Sequence, residues 1–217
     1  MNILSMCKVG NKYADEALEY LAKNCEVDVI KSDRNIYLDN LKWRYDYIIS
    51  FLYPHVINKD VLCRAEKGAI NFHPGSPDYP GIGCTNFAIY NGADKFGVTC
   101  HYMNEQPDTG DIIDVRYFMM NNETVLSLTN KCYAYMLAQF YDMIDIILQG
   151  KDLPIFPEKW TRKPYIRREL NELCVITSYM DKDEVSRRIL ATEYPSKPGA
   201  YINIHGERFE YNRRIKV

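Results

Sequence analysis

Short β-rich runs alternate with helix-patterned segments through the first two thirds of the chain, and this alternation restricts the fold more than any other feature. Several runs are apolar on both faces, as strands buried in a parallel sheet require. The runs are NILSM, CEVDVI, DYIISFL, GAINFH, FGVTCHYM and DIIDVRYFM. The pattern predicts an α/β fold of the Rossmann-like, doubly wound kind with a mainly parallel sheet. In such a sheet, a ligand lies beyond the carboxyl ends of the strands.

Helical periodicity accounts for the longer segments between these runs. The predicted helices are Tyr13–Asn24, Asn58–Lys67, Thr85–Asn91 and Glu123–Gln149. The last and longest carries its apolar residues on one stripe, and Gly150 is its stop signal. The residues of this stripe are Val125, Leu128, Cys132, Tyr135, Met136, Phe140, Met143 and Ile147.

The last third of the chain predicts a small second unit. KDLPIFPEKW is interrupted by prolines and is interpreted as a linker, and Asp181 with Glu184 forms a capping box at the start of a helix. AYINIHGERFEY consists of two alternating runs around a glycine-containing turn, which predicts a β-hairpin. We therefore predict a Rossmann-like domain over residues 1–155 and a small C-terminal α/β appendage over residues 156–217, which ends in the hairpin.

Composition and charge narrow the functional class. The chain has 217 residues, of which 47% are hydrophobic and 26% charged, and its formal charge of −2 argues against a nucleic-acid partner. None of its seven cysteines forms a C-x-x-C pair, so we expect free thiols, no structural metal and a reducing compartment such as the cytoplasm. No signal peptide and no membrane-spanning run is predicted.

Three polar residues fall at strand ends or in loops that the predicted fold places on one rim. Asn71 and His73 are two residues apart in one predicted strand, so their side chains project to the same face. Asp108 lies in a Pro-Asp-Thr-Gly turn before the last strand of the sheet. A converging amide, imidazole and carboxylate suit acyl transfer, because donors placed at a developing oxyanion lower the barrier and the nucleophile must lose a proton.

Each of these residues also has a structural explanation when it is taken alone. A histidine near a strand end is usually a packed residue, Asn71 can bond its own backbone, and an Asp before Thr-Gly suits a plain type I turn. The three together, next to a loop rich in proline and glycine, favour the catalytic interpretation. His101, on the strand before the Asp108 loop, is interpreted as structural packing.

The motifs between residues 50 and 120 follow one another in a recognisable order. GAINFHPGSPDYPG and NFAIYNGADKFGVTCHYMNEQPDTGDII contain Asn-x-His, a proline-rich loop ending near Pro-Gly, Asn-Gly, Gly-Val-Thr-x-His and Asp-x-Gly before a strand. This order resembles the folate-dependent formyltransferases. They include the glycinamide ribonucleotide and methionyl-tRNA formyltransferases and the N-formyltransferases of nucleotide-linked amino sugars.

The resemblance implies transfer of a formyl group from N10-formyltetrahydrofolate to an amine, without a metal. On the matching positions, Asn71 and protonated His73 would stabilise the oxyanion, and Asp108 would hold His73 charged and order a water at the folate. The segment SFLYPHV corresponds to the strand end against which the family packs the pterin. The implied folate contacts are Leu52, Tyr53, Met103 and Asp108.

Several acceptors are known within that family, and they fit this chain unequally. The residues after the linker are too few for the extra domain of a methionyl-tRNA enzyme, and we do not expect a folate deformylase, which usually carries a regulatory domain ahead of this one. A glycinamide ribonucleotide formyltransferase has this length but opens with a Gly-Ser-Asn-like phosphate loop, where this chain has SMCKVGNKYADEAL. That enzyme and a non-catalytic folate-binding module are the alternatives to an amino-sugar enzyme.

An acceptor linked to a nucleotide diphosphate is favoured by the run KWTRKPYIRREL. Its aromatic rings suit stacking on a base and its basic groups suit a diphosphate. The predicted acceptor contacts are Lys8, Thr85, Asn86, Trp160, Arg162, Lys163 and Tyr165, although Thr85 would serve equally as a helix N-cap. The favoured acceptors are dTDP-linked 4-amino or 3-amino dideoxy sugars, and the resemblance implies bacterial lipopolysaccharide, including O-antigen, as the destination. The tyrosine-rich last third or the hairpin is available as a homodimer surface, and the sequence leaves the oligomeric state open.

Overall fold

A six-stranded sheet forms the centre of the fold. The computed structural model describes residues 1–32, 38–195 and 197–212 of the chain. Its strands are β1 (Asn2–Cys7), β2 (Glu26–Lys31), β3 (Tyr45–Phe51), β4 (Ala65–His73), β5 (Lys95–Tyr102) and β6 (Ile112–Met119). They lie in the order β2-β1-β3-β4-β5-β6. The first four in this order are parallel, and β5 is antiparallel to both of its neighbours. The predicted α/β class with a mainly parallel sheet is confirmed.

The reversed direction of β5 decides which side chains meet beside the end of β4. In an antiparallel pair, residues directly opposite each other on one face are neighbours. Asn71 is therefore opposite His101, and His73 is opposite Thr99. The loop 103–111 begins beside β4, where the Met103 N–H donates to the carbonyl of Ala69 at 2.7 Å. This register carries the Asp108 loop to the residues that the sequence singled out on β4.

The helices of the described residues are α1 (Lys12–Asn24), α2 (Lys59–Leu62), α3 (Cys84–Tyr90), α4 (Val125–Leu148), α5 (Arg167–Leu173) and α6 (Lys182–Thr192), with a 3₁₀ helix at Leu38–Asn40. Of the helices, α1, α3 and α4 have the predicted bounds to within two residues, α6 begins where predicted, and α5 was not predicted. The predicted helix Asn58–Lys67 is wrong in its second half. The chain enters β4 at Ala65 because Ala65 pairs with Tyr45 in the sheet, and this pairing outweighs the local helical pattern. Within the described ranges, no helix combines the length and apolarity needed to cross a bilayer.

The apolar stripe of α4 faces the sheet, as the sequence predicted, with one exception. Phe140 is fully buried, and its ring centroid lies 5.3 Å from that of Phe51 and 5.2 Å from that of Phe72. Burying a ring of this size contributes about 2–3 kcal/mol. Tyr135 is 38% exposed, and its ring packs at the edge of the sheet on Phe118, with centroids 4.6 Å apart.

A second, three-stranded sheet closes the chain. Its strands β7 (Val175–Ile176), β8 (Tyr201–Ile204) and β9 (Glu207–Glu210) lie in that order, and β8 and β9 form the predicted hairpin. The predicted capping box is only half formed: Asp181 Oδ1 accepts from the Glu184 N–H at 2.8 Å, whereas the Glu184 carboxylate accepts from Tyr90 and Arg188 instead. Leu173 and Ala191 are buried in the same core cluster as the residues of the central sheet. The domain boundary at residues 155 and 156 therefore stays a prediction.

Candidate active site

Asn71, His73 and Asp108 lie together at the end of β4. His73 is 4% exposed and Asp108 is 7% exposed. Nδ1 of His73 lies 3.2 Å from Oδ2 of Asp108, and Nδ2 of Asn71 lies 3.4 Å from Oδ1 of the same carboxylate. The amide and the imidazole therefore both contact the same carboxylate, and the catalytic role of the three groups remains a prediction.

Asp108 is surrounded by donors on both carboxylate oxygens. Oδ2 also accepts from the Gly81 N–H at 2.8 Å, and Oδ1 lies 3.2 Å from Nε2 of His101. Burial alone would raise the pKa of Asp108, but the charge of His73 and the hydrogen bond from His101 outweigh it and hold the pKa well below its ordinary value. Asp108 also has a φ of 49°, a conformation that costs a non-glycine residue about 1 kcal/mol or more. The surrounding donors hold the carboxylate in this strained position.

His73 has an acceptor at each ring nitrogen. Nδ1 faces the Asp108 carboxylate, and Nε2 lies 2.9 Å from the carbonyl oxygen of Tyr79. Neither a carbonyl nor an ionised carboxylate can donate, so both contacts are hydrogen bonds only when each nitrogen carries a proton. The packing is close, because a Cβ at Gly75 would lie 2.5 Å from Nε2. The geometry thus favours the imidazolium form of His73.

His101 belongs to the same cluster, although the sequence assigned it to structural packing. Its Nε2 lies 3.2 Å from Oδ1 of Asp108 and 3.1 Å from Nδ2 of Asn71, and its Nδ1 lies 2.8 Å from the carbonyl oxygen of Tyr102. The residue is 1% exposed. The Gly-Val-Thr-x-His motif was a signal for it, but its position follows from the antiparallel register between β4 and β5, which the sequence did not reveal.

Trp160 covers the two histidines. Its ring centroid lies 5.8 Å from that of His73 and 5.1 Å from that of His101, both edge-on, and its Nε1 donates to the carbonyl of Gly110 at 2.7 Å. The following segment 161–165 is bound to the proline-rich loop, since the Tyr165 N–H donates to the carbonyl of Pro80 at 2.8 Å. Trp160, the last residue of the predicted linker, and the segment 161–165 therefore form a wall of the site.

Tyr165 was predicted to stack on a nucleotide base, but neither face of its ring is open in this structure. Phe87 stacks on the ring with centroids 3.7 Å apart, and Arg162 lies 3.1 Å from the ring centroid. Two groups at such distances cannot share one face, so the ring is enclosed between them. Arg162 also donates to Glu169 at 2.9 Å, which neutralises the charge predicted to bind a diphosphate. Tyr165 and Arg162 therefore hold the wall together.

The predicted folate contacts flank the carboxyl end of β3. Leu52 turns the chain there with a φ of 58°, in the left-handed region that a bulky side chain rarely adopts. Tyr53 and Met103 are half-buried and pack against one apolar cluster that contains Ile48 and Ala69. Together with the Asp108 loop, they offer a partly apolar edge suited to a flat heterocycle.

The other predicted acceptor contacts do not meet in one cavity. Lys8 is exposed after β1, and Lys163 is exposed beside Trp160 on a cavity of about 540 Å³. Thr85 is buried within α3 with its hydroxyl 3.4 Å from that of Thr129, and the N-cap is Gly83, so the N-cap alternative for Thr85 is wrong.

Asn86 does not line the cavity beside Trp160. Its Nδ2 donates to the carbonyl of Ala191 at 2.7 Å, which ties α3 to α6. The residue lines a separate cavity between these elements.

The sequence matches the profile of one protein family and is similar to enzymes of known name. Residues 21–136 match the profile of the family described as formyl transferase. The GDP-perosamine N-formyltransferases of Brucella melitensis and Brucella abortus are each 31% identical to the chain over 164 residues. The match covers 75% of this chain and 62% of the length of those relatives.

Solved structures share the fold at lower identity. A sugar N-formyltransferase from Shewanella sp. superposes with a TM-score of 0.79 at 16% identity, covering 100% of this chain and 98% of the other. An N-formyltransferase from Helicobacter canadensis, solved with folinic acid and dTDP-3-aminofucose, gives 0.74 at 21% identity, covering 95% and 85%. Both structural matches cover nearly the whole chain, including the residues after position 136, where the family match ends.

Proposed function

Because the chain belongs to the formyl transferase family, we propose that it is an N-formyltransferase that moves a formyl group from N10-formyltetrahydrofolate to the amine of a nucleotide-linked amino sugar. The observation that carries this proposal is the buried contact of Asp108 with His73, next to the amide of Asn71. A binding module needs no ionised carboxylate beneath an imidazolium, whereas acyl transfer uses such a group.

The structure supports a folate site at the end of β3. N10-formyltetrahydrofolate supplies the activated formyl group. The half-buried Tyr53 and Met103, and the turn of the chain at Leu52, suit the flat and partly apolar pterin. We propose these residues, with the Asp108 loop, as the folate contacts.

Asn71 and His73 are proposed to act on the oxygen of the formyl group. That oxygen gains negative charge when the amine attacks, and a fixed amide donor and a positive imidazolium lower the energy of that charge. Asp108 has a lowered pKa and stays ionised at neutral pH, so its role is to keep His73 charged and oriented. His73 holds a proton on each ring nitrogen. It would give one to the N10 amine of the departing tetrahydrofolate and regain one from the attacking amine, so that the transfer leaves the ring unchanged.

The acceptor class is inferred from the relatives and from the sequence together. The Brucella relatives are named for a GDP-linked amino sugar, and the Helicobacter enzyme was solved with a dTDP-linked one. The sequence favoured dTDP-linked 4-amino or 3-amino dideoxy sugars. We propose dTDP- and GDP-linked amino sugars as the acceptors, with a polysaccharide such as lipopolysaccharide O-antigen as the destination. A cytoplasmic location is proposed as well, and the seven free thiols support it.

A mass-spectrometric turnover assay tests this function. Purified protein is incubated with N10-formyltetrahydrofolate and a panel of dTDP-, UDP- and GDP-linked amino sugars, with glycinamide ribonucleotide included. We expect a gain of one formyl mass on an amino-sugar nucleotide. The variant His73→Asn should lose this gain, because asparagine carries no positive charge.

His205→Asn is the matched control, because His205 lies exposed in the turn of the hairpin, with a φ of 51° that asparagine tolerates. It should retain activity. A mass gain only on glycinamide ribonucleotide, or full activity of His73→Asn, would contradict the proposal. Folate binding without turnover on any amine would identify a binding module instead.

A further inference from the structure

A second cavity lies at the junction of helices α3 and α4 with the C-terminal elements, and Trp160 is not among its lining residues. Its volume is about 420 Å³, which is within the usual range of about 300–1,000 Å³ for small-molecule sites. We call it the junction cleft. Its lining residues are Asn86, Val125, Arg167, Leu170, Asn171, Cys174, Thr192, Tyr194, Lys197, Pro198, Tyr201 and Arg208. They come from α3, α4, α5, the end of α6 and the hairpin.

The charge of the junction cleft is positive. Arg167, Lys197 and Arg208 line it, and no carboxylate is among its lining residues. In the described part of the chain, Arg167 and Lys197 have no carboxylate within salt-bridge distance, whereas Arg208 pairs with Glu210 at 2.7 Å. Two unneutralised cations that share one cavity favour an anion there.

The positive charges of Arg167 and Arg208 also act on Cys174, which lines the cleft. Burial raises the pKa of the Cys174 thiol, and the positive charges of Arg208 and Arg167 oppose that rise. Both arginines therefore act on the interior of the cleft.

Aromatic rings accompany the cations. Arg208 lies over the ring of Tyr201, 3.7 Å from its centroid, and Tyr194 is half-buried on the same cavity. Rings next to guanidinium groups suit a ligand that carries both a base and phosphates, because a base stacks on the ring while the phosphates accept from the cations. Free phosphate would use only the second of these features.

We propose that the junction cleft binds the nucleoside diphosphate of the acceptor, with the unpaired Arg167 and Lys197 as the phosphate donors. This inference rests on the proposed function for the identity of the ligand. It keeps Arg167, which belongs to the basic run that the sequence favoured for a diphosphate, but not Arg162 for the diphosphate or Tyr165 for the base, whose groups are occupied by Glu169 and Phe87.

The cleft is close enough to the catalytic cluster for one molecule to reach both. A Cβ at Gly83 would lie 3.1 Å from the side chain of Leu170, a wall of the cleft. Gly83 is two residues from Gly81, whose N–H donates to Asp108 at 2.8 Å. Because two residues span at most about 7 Å, the Leu170 wall of the cleft lies within about 14 Å of Asp108. A sugar linked to a nucleoside diphosphate is longer than this separation.

The test measures nucleotide binding and turnover on the same variants. Isothermal titration calorimetry with GDP, dTDP and UDP, and with inorganic phosphate as the comparison probe, is applied to the wild type and to Arg167→Ala/Lys197→Ala. We expect the double variant to bind the preferred nucleotide about 100-fold more weakly, because two charge-assisted contacts are lost. Arg44→Ala/Lys182→Ala removes the same charges from exposed positions elsewhere and should bind normally. Lys197→Gln alone, at an exposed position, serves if the double variant does not fold.

Turnover separates the failure of this inference from the failure of the proposed function. With an active acceptor, the double variant should show a KM raised at least tenfold and a nearly unchanged kcat, since a binding contact far from the reacting amine is lost. If the wild type is active and the double variant has an unchanged KM and an unchanged nucleotide affinity, the cleft assignment alone is overturned. No turnover on any amino-sugar nucleotide, with nucleotide binding still lost in the variant, would overturn the function and leave the cleft as a nucleotide site. Wild type that binds none of the three nucleotides would refute the inference.

Discussion

Replacing Asp108 with asparagine removes one charge from a buried cluster and leaves the shape of the side chain unchanged. At an effective dielectric constant of 20, unit charges 3.2 Å apart, the separation of His73 Nδ1 and Asp108 Oδ2, attract by about 5 kcal/mol. Removing one partner of a buried pair costs about 3–5 kcal/mol, because the other charge is left unpaired. We therefore expect Asp108→Asn to lower the free energy of unfolding by about 3 kcal/mol at neutral pH. For a chain of this size, the melting temperature should fall by about 6–12 °C.

The stability difference should depend on pH in a defined direction. The pKa of Asp108 is lowered in the folded state, so its stabilising contribution is present above the ordinary carboxyl pKa of about 3.9 and is lost as the pH falls below that value. The wild type and Asp108→Asn should therefore converge in stability in strong acid. Urea unfolding at several pH values measures this convergence.

The same substitution should reduce kcat by about 100-fold or more. His73 loses the partner that keeps it charged, and removal of one group that stabilises a developing oxyanion typically costs a factor of about 10²–10³. Asp111→Asn is the matched control in the same loop, since Asp111 is exposed and pairs with Lys159 at the surface. Retention of more than a tenth of the wild-type kcat by Asp108→Asn would refute the assigned role of the carboxylate.

Three further substitutions test other parts of the structure. A Cβ at Gly110 would lie 1.8 Å from a backbone carbonyl oxygen at the end of β5, so Gly110→Ala should cost about 3 kcal/mol or more. Gly92→Ala, at a φ of 63° with no atom within 4 Å, should cost only about 1 kcal/mol in the same thermal unfolding assay. Trp160→Phe keeps a ring over the histidines but loses the hydrogen bond to Gly110, so kcat should fall about tenfold, whereas Trp43→Phe, at a side chain 79% exposed, should leave kcat unchanged. Hydrogen bonds from Arg188 and Tyr90 lower the pKa of Glu184 to about 2. Glu184→Gln should therefore destabilise the chain by about 1 kcal/mol above pH 4.5, and equal acid sensitivity of both proteins between pH 4.5 and 2 would contradict this.

The elements that the sequence predicted well are those encoded by local patterns. The alternation of apolar runs predicted the central strands, and the stripe of α4 predicted the face that packs on Phe51 and Phe72. The Asn-x-His motif and the Asp-x-Gly motif identified groups that the structure brings into contact. The period of the apolar residues indicates which side chains share a face, and the order of the motifs indicates which residue types occur together. Both are properties of nearby positions along the chain.

The structure alone decided which distant segments meet. Strand periodicity does not state the direction of a neighbour, so the antiparallel β5, and with it the place of His101 beside Asn71, could not be predicted. The enclosure of Tyr165 depends on Phe87, and both belong to segments far apart in the chain. The same holds for the junction cleft.

In the cleft, cations from α5 and the hairpin share one cavity only after the second sheet docks on α3 and α4. The sequence determined the chemical groups that this protein has available, because residue types and local periods are written along the chain. Tertiary packing decided which of those groups remain open to a ligand, because hydrogen bonds and ion pairs with residues distant in sequence occupy the others.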